Sequence, residues 1–137
     1  MTAAIDKQAR VLLAKAAEDE AVVHLADVPD GPFRFHVQQA VEKLLKALLS
    51  QLSIQYRLSH DLSYLVNLLQ TSGEVLPKTV FEFSDLDSFA VFNRYDDIPE
   101  FQILDRPAAI ETVRILRAHI EARIAALSAT PLPSPLQ

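Results

Sequence analysis

The sequence predicts an all-α protein: an up-and-down antiparallel four-helix bundle carrying a fifth helix. Apolar residues recur at three- and four-residue intervals in five separate stretches. β-branched residues never alternate with polar ones over a useful length, so no strand is expected. Most breaks between the stretches are short, and short connections make neighbouring helices antiparallel.

The first helix, about residues 3 to 26, places Ile5, Ala9, Leu12, Ala16 and Val23 on one face and stops before "DVPDGP", where Pro and Gly oppose continuation. The second, about 32 to 54, is the most ordered. With Ala40 at zero and 100° per residue, Val37, Val41, Leu44, Leu48 and Leu52 fall in an arc about 80° wide. His36, Gln39, Lys43 and Lys46 fall in an equally narrow arc opposite, with Gln38, Glu42, Leu45 and Leu49 between. The third helix runs from Ser59, a plausible N-cap, to Thr71, with Leu62, Leu65, Val66 and Leu69 at helical spacing and Gly73 as its stop. A fourth, roughly 79 to 93, carries Phe81, Leu86, Phe89, Ala90 and Phe92. The fifth, about 106 to 127, follows Asp105 and carries Ile110, Val113, Ile120, Ile124 and Leu127. Residues 93 to 105, "NRYDDIPEFQILD", are long for a connection between bundled helices and read as a functional loop. One domain is therefore expected over 1–127, followed by a Pro-rich flexible tail, 128–137.

A chain of 137 residues suits a single domain and can bury roughly two-thirds of its unfolded surface. It has no Cys, which removes disulfides, thiolate metal sites and a Cys nucleophile. A net charge of −5 gives no basic field to draw in nucleic acid or an anionic membrane. No uncharged apolar run approaches the roughly 18 residues a membrane span requires. The first twenty residues are broken by charges every few positions and lack the apolar centre of a signal peptide, so a cytoplasmic setting is expected. Two Gly in total leave no phosphate-cradling loop, no Gly-x-Ser-x-Gly elbow is present, and the Glu-x-x-His pairs of di-iron bundles are missing. No metal site is expected.

Several residues stand out nonetheless. The row His36, Gln39, Lys43, Lys46 is either a solvated helix back or a surface facing a partner or phosphate. His60 opens the third helix, where it can pack and donate a hydrogen bond or meet an anion together with free backbone N–H groups. His24, His36 and His119 share no spacing that suggests a metal. Arg117 lies at the edge of the stripe made by Ile110, Val113, Ile120 and Ile124, so it must snorkel, pair with a carboxylate or sit in an interface. From Glu82 to Asp105 there are seven acidic residues and one base, Arg94, which is followed by Tyr95. Arg94 either closes the loop on Asp96 or Asp97 or forms a polar site with them.

The set "HVQQAVEKLLKALL", then "LSHDLSYLVNLL", then a helix ending in "FNRYDD" resembles the HEPN domain family over about residues 5 to 125. The resemblance implies a helical bundle, usually dimeric, associated with nucleotides or RNA. It also implies a minimal nucleotidyltransferase as partner, sometimes in a toxin–antitoxin pair. Family ribonucleases share an Arg-x4-His motif, extended in some toxins to Arg-x4-His-x-Tyr. Counted from Arg94, the His position here is Pro99 and the Tyr position Phe101. Proline has no ionisable group and phenylalanine no hydroxyl, so cleavage by that route is not expected.

The resulting expectation is a non-catalytic homodimeric module that binds a nucleotide, with or without Mg, or a nucleotidyltransferase. Its candidate binding residues are Arg94, Tyr95, Asp96, Asp97, His60, His36, Gln39, Lys43 and Lys46, with Arg117 as a candidate interface residue. The alternatives are an RNA-cleaving toxin using Arg94 with Asp96, Asp97 or a more distant His, and a purely structural dimer.

Overall fold

The computed structural model describes residues 4–78 and 105–129, and every described element is helical. The fourth expected helix, most of the 93–105 loop and the tail from residue 130 lie outside the described residues, and with them Arg94, Tyr95, Asp96, Asp97, Pro99 and Phe101; Ser128 and Ala129, expected to begin the tail, continue the last helix. No helix among the described residues is long and apolar enough to cross a membrane.

Helix α1 spans Lys7–Val23. It starts later than expected because Asp6 caps it, its carboxylate accepting from Ala9 N at 3.0 Å. Helix α2, Asp30–Gln51, starts two residues earlier than expected and takes Gly31 and Pro32 into its first turn. Proline is tolerated there because the first N–H groups of a helix have no intrahelical acceptor anyway. The helix ends three residues early, at Ser53, whose left-handed φ of 58° reverses the chain. Ile54 N then donates to Leu49 O (2.9 Å) and Ser53 N to Ser50 O (3.0 Å), which satisfies two terminal carbonyls.

Helix α3 is Leu62–Thr71. Ser59 is not its cap; the Ser59 hydroxyl instead accepts from Asp61 N, and Asp61 caps the helix through Tyr64 N. Gly73, with φ 99°, ends it as expected, with Glu74 N donating to Leu69 O and Gly73 N to Gln70 O, each at 3.0 Å. Helix α4 is Arg106–Ala129, capped by Asp105 through Ala108 N.

Helix α2 packs against each of the other three. Neighbours on several sides explain why its buried set exceeds the expected arc: Phe33, Ala40, Leu45, Ala47 and Leu49 are buried along with Val37, Val41, Leu44 and Leu48. Leu52, at the last turn, is only partly covered. The core is completed by Ala9, Ala16 and Val23 of α1, Leu62, Leu65 and Leu69 of α3, Leu76, and Val113, Leu116, Ile120 and Ile124 of α4.

Side-chain bonds fix the relative directions. Asp6 N, before α1, donates to Gln51 Oε1 at the end of α2 (2.8 Å), whereas Asp19 near the end of α1 meets His36 in the second turn of α2. These two helices are therefore antiparallel. Arg106, the first residue of α4, bonds Asp30, the first of α2 (2.6 Å), and its guanidinium lies 4.7 Å from the Phe33 ring centre. Helices α2 and α4 thus begin at the same end of the molecule.

Candidate functional site

The row His36, Gln39, Lys43, Lys46 lies along one flank of α2, and none of its members is fully exposed. Its charged residues are not loose in solvent. Two buried carboxylates organise them. Asp19 reaches across from α1 with its side chain only 8% exposed. Its Oδ1 lies 2.8 Å from His36 Nδ1, and its Oδ2 accepts from Lys43 Nζ at 2.5 Å. Glu42, on α2 itself, is 4% exposed; its Oε1 lies 2.8 Å from His60 Nδ1 and its Oε2 accepts from Lys46 Nζ at 3.0 Å.

Each acid therefore holds one histidine and one lysine. A carboxylate has no hydrogen to give, so Nδ1 of each imidazole must donate. The other ring nitrogen, Nε2, is left for a ligand or water, held in position by the buried acid. The two imidazoles differ in access, His36 being 28% exposed and His60 78%. Phe35 supports the first edge-on, at 5.2 Å between ring centres, and Tyr56 lies under Lys46 Nζ at 5.7 Å.

Asp19 and Glu42 are the functional-site residues that a reading of the polar row alone misses. Asp19 stands in the acidic run "AEDEA", which reads as solvated surface. The usable signal is its register: it falls three residues after Ala16 and four before Val23, both buried, and so shares their face. Glu42 precedes Lys46 by four residues, the favourable order for a helical ion pair.

Arg117 has an intrachain role. Its guanidinium forks onto Glu20 of α1, reaches Glu121 at 2.6 Å and donates to Leu13 O at 3.0 Å. The Glu20 hydrogen bonds hold the guanidinium protonated even above the usual arginine range. The residue thus clamps α1 to α4, which accounts for a cation at the edge of an apolar stripe. It also lines a cavity of about 240 Å³ with Val23, His24, Ile110, Val113 and Arg114. A second cavity, about 420 Å³, is lined by Gly73, Glu74, Val75, His119 and Arg123, with Arg123 bonded to both oxygens of Glu74 at 2.9 and 3.0 Å.

Among the described residues, no group of three or more His, Asp or Glu could hold a metal ion.

A family model for the HEPN domain matches residues 32–123. The chain belongs to the HEPN domain family. Comparison with curated proteins and with solved structures finds no match to either. The matched part of the HEPN domain takes in α2 from Pro32 onward, α3 whole and α4 as far as Arg123, and it contains Glu42, Lys46 and His60. Asp19 comes from α1, outside it, so the His36 cluster joins the HEPN match to the preceding helix.

The family's Arg-x4-His spacing, absent when counted from Arg94, occurs once in this HEPN domain, at Arg114 and His119. Five residues turn a helix by about 500°, which leaves the two side chains roughly 140° apart around the axis. Accordingly, Arg114 pairs with Glu111 and lines the smaller cavity, while His119 lines the larger one. The two residues face different cavities.

Proposed function

We propose that this HEPN domain is a binding module that does not cleave RNA. It holds the phosphates of a nucleotide, with or without Mg, either free or presented by a minimal nucleotidyltransferase partner in a toxin–antitoxin-type pair. The observation that carries this reading is the flank of α2, where Lys43, Lys46, His36 and His60 are fixed by Asp19 and Glu42. Fixed nitrogen donors along a rigid helix are what phosphate recognition needs, because little side-chain entropy remains to be lost on binding. The proposed setting is a cytoplasmic homodimer folded as an up-and-down bundle with a fifth helix. Arg94 and Tyr95, with Asp96 and Asp97, form a second polar element of the same module.

The RNA-cleaving reading is favoured by the Arg-x4-His spacing at Arg114 and His119 and opposed by their geometry. General acid–base work requires its groups to converge on one bound substrate, and within one chain these side chains line separate cavities. Calorimetric titration with adenosine triphosphate, with and without Mg, tests the binding reading, and incubation with labelled RNA tests the non-catalytic part. The reading expects saturable nucleotide binding, weakened in Lys43→Ala and Lys46→Ala, and intact RNA. RNA cleavage abolished in Arg114→Ala or His119→Ala would overturn it.

A further inference from the structure

We infer that the α2 flank is an acid-switched phosphate site: protonation of His36 and His60 turns it from electrically balanced to doubly positive, and a small polyphosphate ligand is held firmly only then. The inference rests on the reading of this flank as the binding site and adds its regulation.

The charge count decides it. With neutral imidazoles the two carboxylates, Asp19 and Glu42, are balanced by the two ammonium groups, Lys43 and Lys46. A phosphate approaching such a surface meets donors but no net attraction. Imidazole is the side chain whose charge ordinarily changes between pH 5 and 8, whereas ammonium and carboxylate groups ordinarily keep theirs. Protonating both histidines adds two positive charges on the exposed side of the buried acids. It also converts each Nε2 from an acceptor, useless to phosphate, into a charged N–H donor.

Among the described residues, the surroundings leave few other charges to confuse this count. On α1, Glu20 beside Asp19 is engaged by Arg117, and Lys15 pairs with Glu18. On the 52–61 connection, Asp61 beside His60 is turned back to cap α3 through Tyr64 N, and Arg57 lies over the Tyr64 ring at 3.9 Å. Among the described residues, the groups in ion-pair contact with the two histidines, or with the acids that hold them, are Asp19, Glu42, Lys43 and Lys46. A net charge of −5 disfavours a long polyanion, which would meet the whole surface, more than a compact one that meets only the flank.

The test is calorimetric titration with adenosine triphosphate and with inorganic triphosphate at pH 5.5 and pH 8 at fixed ionic strength. Affinity is expected to rise on the acid side by on the order of tenfold or more, one proton per histidine being linked to binding. The ligand works against this result, since a terminal phosphate takes up its own proton near about pH 6 and loses charge. An acid-side gain therefore comes from the protein. The gain should halve on a logarithmic scale in His36→Asn or His60→Asn and vanish in the double variant, but persist in His24→Asn. Circular dichroism melts of each variant, and Gln in place of Asn, separate loss of the switch from loss of the fold. Equal response to the two ligands assigns recognition to the phosphates; a response to the nucleotide alone would overturn that part. Binding with a flat pH profile, or a gain that survives in the double variant, would overturn the switch while leaving the binding reading intact. No binding at either pH would overturn both, and acid-dependent binding of short single-stranded RNA alone would overturn the ligand class.

Discussion

Truncating Arg117 should destabilise the protein by about 2–3 kcal/mol, through the carboxylate it strands. A fully buried ion pair broken from one side costs about 3–5 kcal/mol, because the partner stays buried and unpaired, whereas an exposed pair is worth about 0–1. Arg117 and Glu20 are 23% and 15% exposed, which places the pair nearer the buried limit but with some solvent relief. Loss of the Glu121 contact adds only a few tenths of a kcal/mol, as for other pairs one helical turn apart. The assay is urea unfolding followed by far-UV circular dichroism, comparing wild type, Arg117→Met, Glu20→Gln and the double variant. Methionine keeps the aliphatic stem packed, so the cycle isolates the charge. The double variant should recover roughly half the loss of Arg117→Met, because no charge is then stranded. Arg114→Ala, which removes an exposed pair with Glu111, serves as the control and should leave the midpoint essentially unmoved. A loss below about 0.5 kcal/mol for Arg117→Met would refute the clamp and return Arg117 to the role of a residue that contacts another chain.

Other consequences are simpler to check. Leu44→Ala or Leu48→Ala, at fully buried positions on α2, should each cost about 2–5 kcal/mol in the same unfolding assay. Ser53→Gly should raise stability by up to about 1 kcal/mol, since Ser53 holds a left-handed φ, and Gly73→Ala should lower it by about 1 kcal/mol or more. Sedimentation at tens of micromolar should give a species of twice the 15.3 kDa chain; a monomer there would contradict the proposed homodimer.

The described helices were legible from spacing because α2, α3 and α4 each bury one recurrent apolar set, and a buried set writes its period into the sequence. Boundaries were less legible, for local reasons. Pro32 looks like a barrier but is harmless in a first turn, and Ser59 and Asp61 compete for one cap, with only tertiary placement to decide between them. The site was half legible. The cations of the row are visible because they share an arc, yet the acids that fix them are not, since Asp19 comes from another helix and Glu42 sits between the two arcs. Arg117 showed only that a charge sat where a charge is costly; its partner, Glu20, lies 97 residues away in sequence. The acidic region around Arg94, apart from Asp105, lies outside the described residues.

Whether a nucleotide meets the flank of α2 in this HEPN domain is read by mapping amide and imidazole NMR shifts while adenosine triphosphate is added at pH 6. The perturbed signals should cluster at His36, Gln39, Lys43, Lys46 and His60, and those around His119 and Arg123 should stay in place. Perturbations confined to the cavity of Gly73, Glu74, His119 and Arg123, or no perturbation on α2 at saturation, would contradict binding at this flank.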